Sequence, residues 1–105
     1  MQASVHDVSV SSDPGDRECL LCYLSRMVNL SGCDGTHRWT VRWRDARAPR
    51  RTGLLRELAR RGGICCDCEV MLNVWPGCLE TAEFAACAGT DAGRIDPCSA
   101  RSARL

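Results

Sequence analysis

Gly62-Gly63-Ile64-Cys65-Cys66-Asp67-Cys68-Glu69-Val70-Met71-Leu72-Asn73-Val74 sets three cysteines and two carboxylates between a double glycine and an apolar exit. The glycines allow a sharp reversal of the chain. Cysteine thiolate is a preferred zinc ligand, and a structural site needs four ligands at about 2.0–2.3 Å. The stretch therefore reads as half of a metal site. Cys19-x-x-Cys22 supplies a second local pair, and Cys33 and His37 stand between the two. Cys66-x-Cys68 is tighter than the second pair of a zinc ribbon, so a metal site is indicated but not a standard finger. Cys65 reads as a spare thiol. Cys78, Cys87 and Cys98 fall in weakly patterned sequence and read as incidental. Asp67 and Glu69 alternate with the thiols, and in an extended segment they point away from them. They are suited to accept hydrogen bonds around the site or to cap a nearby helix.

The chain has 105 residues, enough for one small domain whose core is marginal without a staple. Residues 1–15 lack the basic and apolar regions of a secretory signal, and no stretch approaches the roughly 18 apolar residues of a membrane span. A cytoplasmic protein is expected, with no membrane partner. Disulfides are rare in that compartment, so nine cysteines point to metal or redox chemistry. An odd count also forbids complete internal pairing.

Periodicity predicts three helices. The first begins near Glu18, with Leu20, Leu21, Leu24, Met27 and Val28 on its apolar side and Gly32 as its stop. Asp13-Pro14 is a candidate N-terminal signal for it. Cys19 and Cys22 lie one turn apart and face the same way. The second helix is capped by Asp34 or Thr36 and runs to about Ala48, with Trp39 and Trp43 packing together in the core. Pro49 ends it. The third spans about Thr52 to Arg61, with Thr52 as its cap and Leu54, Leu55, Leu58 and Ala59 as its apolar face. Val70–Trp75 alternates as a short strand would, and residues 79–88 suggest an Ala-rich helix. The expected architecture is a mainly α, small single domain: three helices plus a short cysteine-bearing extended segment, stapled by metal. Residues 1–15 form a disordered leader, 16–76 the domain, and 77–105 a weakly structured tail.

Gly32-Cys33-Asp34-Gly35-Thr36, followed by a helix and then by Gly62-Gly63, Cys66-Asp67-Cys68-Glu69-Val70 and Leu72-Asn73-Val74, resembles the small bacterial family catalogued as domain of unknown function 2695. The resemblance covers about residues 19–75. Many of its members read Cys-Asp-His-Thr at the first motif, and this chain has Gly35 in place of that histidine. The resemblance implies Cys33, Cys66 and Cys68 as metal ligands. The fourth position is contested by Cys22, Cys19 and His37. It implies no enzymatic activity, no catalytic residue and no defined partner.

Three functions follow as expectations. The first is a non-enzymatic, zinc-stapled interaction module, whose metal-binding energy becomes folding energy. The second is binding of nucleic acid or an acidic protein partner. Residues 37–61 carry a local charge of +7, against −3 on each flank, and Arg38, Arg42, Arg44, Arg47, Arg50 and Arg51 lie beside tryptophans suited to stacking on bases. The third is thiol redox or metal sensing, for which an iron–sulfur cluster is the lesser cofactor candidate.

Overall fold

A computed structural model describes residues 12–75 and 87–100. Most of the expected leader, Cys78, and all but the last two residues of the expected Ala-rich helix lie outside the described residues.

Helix α1 spans Leu20–Ser31. It starts later than Asp13-Pro14 suggests, because the first residue to satisfy a helical amide is Cys19: its Sγ accepts the Cys22 N–H at 3.4 Å. Leu20, Leu21, Tyr23, Leu24 and Met27 are buried. Gly32 stops the helix with φ +81°, donating its N–H to Val28 O at 2.8 Å, as a left-handed C-terminal glycine does.

Helix α2, Arg38–Arg47, buries Trp39 and Trp43. Each ring finds its own partner rather than the other tryptophan. Trp39 meets Tyr23 edge-on, with centroids 6.4 Å apart, and Trp43 Nε1 donates to Glu18 O at 2.9 Å. Helix α3, Leu54–Arg60, buries Leu54 and Leu58, and Gly53 rather than Thr52 holds its N-terminal position.

The chain then reverses at Gly62-Gly63. Gly62 has φ +108°, and a Cβ on Gly63 would lie 2.8 Å from Val70 Cγ2. The first glycine serves the turn and the second lets two segments touch. Asn73 closes the loop by donating its Nδ2 to Gly62 O at 3.1 Å.

Where a short strand is expected, the chain is helical. It is extended only up to Cys66, then forms α4, Asp67–Glu69, which widens into a π turn over Val70–Val74. The π turn points Val70, Met71 and Val74 into the core and leaves Leu72 and Asn73 outside. Alternation and helical spacing are hard to separate over six residues. Among the described residues there is no strand.

Residues 87–100 return to this core rather than trailing away from it. Ile95 and Cys98 are buried with α1 and the tryptophans. Thr90 N–H bonds to Arg17 O at 2.9 Å, and Gly93 N–H to Arg47 O at 2.9 Å.

Candidate metal centre

Cys19, Cys22, Cys87 and Cys98 come together, and their sulfur atoms all lie within 4.8 Å of one another. Two sulfurs come from the start of α1 and two from the returning segment. Cys19, Cys22 and Cys98 are buried and Cys87 is half-buried. The Cys22 and Cys98 sulfurs are 3.8 Å apart. Four tetrahedral thiolates around one ion at about 2.3 Å stand about 3.8 Å from each other. The donor set and its spacing therefore fit a single metal ion. Four cysteines placed in this way could hold one.

Backbone amides complete the surroundings. Cys19 N–H points at Cys87 Sγ at 3.3 Å, Ala88 N–H at Cys98 Sγ at 3.4 Å, and Gly89 N–H at Cys87 Sγ at 3.4 Å. Amides aimed at sulfur stabilise a thiolate, and they fix ligand orientation as outer partners do. The hydrogen bond from the Cys22 thiol draws Cys19 down to about 5, while the same bond and burial push Cys22 well above the usual thiol range. Burial also pushes Cys87 up. Without a cation, the Cys22 thiol favours the anionic form of Cys19, while Cys22 and Cys87 favour their protonated forms. A bound cation supplies the charge that lets the others ionise.

Cys87 and Cys98 were unreadable as ligands in the sequence. They are eleven positions apart from each other and 68 and 79 from Cys19, with no paired spacing. The sequence instead offered Cys66-x-Cys68 as the partner pair of Cys19-x-x-Cys22, and nothing in it singled out the later cysteines.

The other expected ligands lie elsewhere. Cys33, in the turn after α1, faces Cys66 and Cys68, and the Gly35 and Cys68 amides hold its thiol below the usual range. Burial, with Cys33 next to it, pushes Cys68 up to about 11. For Cys66, the Glu69 amide acts downward, but burial and Cys33 outweigh it and raise the thiol. The structure thus divides the five expected cysteines between two places: Cys19 and Cys22 in one, Cys33, Cys66 and Cys68 in the other. His37 is committed through Nε2 to Gly63 O at 3.0 Å. Cys65 is exposed, and its N–H bonds to Glu69 Oε1 at 2.7 Å.

Asp67 caps a helix. Its carboxylate, fully buried, accepts the Trp39 N–H at 2.9 Å, the Thr40 N–H at 3.0 Å and the Thr40 hydroxyl at 2.6 Å. These are orphan amides at the start of α2. Asp34 serves locally instead, accepting the Thr36 N–H and hydroxyl.

The arginines are largely engaged within the fold. Arg47 is buried and donates to Thr90 O at 2.7 Å, and Arg51 donates to Gly93 O at 2.6 Å. Arg42 pairs with Asp13 at 3.1 Å and Arg44 with Asp45 at 3.2 Å. Arg38 pairs with Asp34 at 3.5 Å and lies 4.3 Å over the Trp39 ring. Arg50 is exposed. Trp39 and Trp43 are buried, so neither ring offers a face for stacking on a base.

The family described as "Protein of unknown function (DUF2695)" matches residues 20–73. The match spans just over half of the chain, and the chain belongs to that family. Cys33, Cys66 and Cys68 lie inside the matched span, whereas Cys19, Cys87 and Cys98 lie outside it. No curated protein and no solved structure matches the chain. No helix among the described residues is long and apolar enough to cross a membrane.

Proposed function

We propose that the protein is a small non-enzymatic interaction module stapled by one structural zinc ion at Cys19, Cys22, Cys87 and Cys98. The observation that carries this reading is the convergence of four sulfurs within 4.8 Å, one pair at 3.8 Å. Tetrahedral all-sulfur sites select zinc or iron. An iron–sulfur cluster must be enclosed between its thiolates and needs more separation than one ion, so the spacing favours a mononuclear centre. All four sites filled by cysteine leave no open position for a substrate, the mark of a structural rather than a catalytic zinc.

The staple ties the returning segment to the start of α1. That segment supplies Ile95 to the core and carbonyl partners to Arg47 and Arg51. The metal therefore couples the N-terminal helix, the second helix and the returning segment into one body, and its binding free energy adds to folding.

Elemental analysis of protein purified under reducing conditions tests this. Zinc is expected in the wild type, with loss of the tightly held equivalent in a Cys22→Ser/Cys98→Ser variant and a large fall in melting temperature on its removal. A wild type whose metal content and melting match those of the double variant would refute it.

A further inference from the structure

The half-buried trio Cys33, Cys66 and Cys68 is separate from the four-thiol centre and shares no residue with it. Two independent contacts bring its two segments together. Asp67 N–H donates to Thr36 O at 3.0 Å, and the Asp67 carboxylate holds the Trp39 and Thr40 amides. Because Asp67 lies between Cys66 and Cys68, anchoring it sets both thiols over the turn that carries Cys33. Glu69 braces the far side by accepting the Cys65 N–H, and Val70 N–H bonds to Cys66 O at 3.2 Å.

We propose that Cys33, Cys66 and Cys68 form a second thiolate centre that takes one exchangeable soft cation, Zn(II) or Cu(I), through three sulfur ligands. Soft thiolates select these ions. A three-ligand site keeps a position open to solvent or an incoming ligand. In the turn that carries Cys33, Gly35 has φ +86° and nothing lies within 4 Å of where its Cβ would stand, so no side chain crowds that side of the turn. The Gly35 and Cys68 backbone amides are directed at the Cys33 sulfur and orient it. The trio is looser than the four-thiol set, which among the described residues is the group with all ligand atoms within 4.8 Å. A cation draws the three side chains in by rotamer change, while Asp67 keeps the backbone in place. Looseness, partial exposure and one missing ligand all favour rapid exchange.

The test uses the full chain, reduced and kept anaerobic. Zinc-loaded wild type is challenged with a chromophoric chelator, and the released equivalents are timed. Two kinetic classes are expected, about one equivalent each, with the fast one absent from both Cys33→Ser and the Cys33→Ser/Cys66→Ser/Cys68→Ser variant. Near-ultraviolet circular dichroism of the tryptophans should be unchanged in Cys33→Ser, which reports that the fold survives. A parallel titration with Cu(I) under a competing ligand should lose one equivalent in the same variants, and the two arms show which ion the site prefers. If wild type and both variants bind equal amounts of both ions and release zinc with identical kinetics, the proposal is overturned. The four-thiol reading fails differently: the slow class would be missing from the wild type, or would persist in Cys22→Ser/Cys98→Ser.

Discussion

Asp67 Oδ1 accepts both the backbone N–H and the hydroxyl of Thr40, at 3.0 and 2.6 Å, from 27 residues away. The middle residue of Cys66-Asp67-Cys68 is therefore a cap for a helix that ended twenty residues earlier. Hydrogen bonds to a charged acceptor contribute about 1.5–3 kcal/mol each, and removing the acceptor leaves buried donors unsatisfied. Asp67→Ala is expected to destabilise the protein by about 3 kcal/mol or more, with Asp67→Asn costing less because one acceptor oxygen survives. Urea denaturation monitored by tryptophan fluorescence measures it. A change below about 1 kcal/mol for Asp67→Ala would show that α2 does not depend on this cap.

Gly63 makes a different demand. A methyl group there would meet Val70 Cγ2 at 2.8 Å, Val74 Cγ2 at 3.1 Å and the Val70 Cα at 3.2 Å. The backbone contact cannot be relieved by a side-chain rotation. Gly63→Ala should cost about 1–3 kcal/mol through overpacking. Gly53→Ala is the control, because nothing lies within 4 Å of its added Cβ and its φ is negative. Equal melting temperatures for the two variants would contradict the close approach of the α3–α4 reversal to the π turn.

Much of this was legible in advance, for physical reasons. The apolar spacing of Leu20, Leu24 and Met27, and of Leu54 and Leu58, marks helix faces whatever else the chain does. Gly32 and Gly62 announce helix ends because a positive φ is costly for other residues. Asp67 was readable as a cap or an acceptor, since its type allows both and only tertiary contact decides. The π turn was not readable, because one turn of helix and one short strand place apolar residues similarly. The four-thiol centre was half readable. Cys19-x-x-Cys22 is a local pair, but Cys87 and Cys98 become neighbours only when the returning segment packs by Ile95 and by the carbonyls that meet Arg47 and Arg51.

That packing gives a third expectation. Arg47 sits at the joint between the returning segment and α1: its Nη2 donates to Thr90 O and Oγ1, at 2.7 and 3.1 Å, and its Nε to Glu18 O at 3.3 Å. Arg47→Ala removes these donors and the buried stem. It should destabilise the protein by about 2 kcal/mol or more. It should also speed chelator extraction of the slow metal class, since Thr90 lies between Cys87 and Cys98. Arg50→Ala, at an exposed position, should change neither quantity. If Arg47→Ala leaves metal release untouched, the hold on the metal does not depend on this joint.

The pH dependence of the metal-free protein follows from the four-thiol centre. Cys19 is drawn down to about 5 by the Cys22 thiol, against an ordinary value near 9. Between those limits the folded chain has lost this proton and the unfolded chain has not, so stability rises with pH from about 5 to about 9. Cys22 and Cys87 are pushed up, Cys22 by its bond to Cys19 and Cys87 by burial. Above pH 9 they keep protons that the unfolded chain releases, so stability falls again. Melting temperatures of chelator-treated, reduced protein should pass through a maximum near pH 9, and Cys19→Ser should flatten the rising limb. Metal binding adds its own linkage in the same direction as that limb. Cys22 and Cys87 must give up protons, while Cys19 is already ionised above about pH 5. Loading the centre near neutral pH should therefore release at least two protons but fewer than four. Calorimetric titration in buffers of different ionisation enthalpy counts them. A count of zero, or an affinity that does not weaken as the pH falls from 8 to 6, would mean that the ion is not held by these sulfurs.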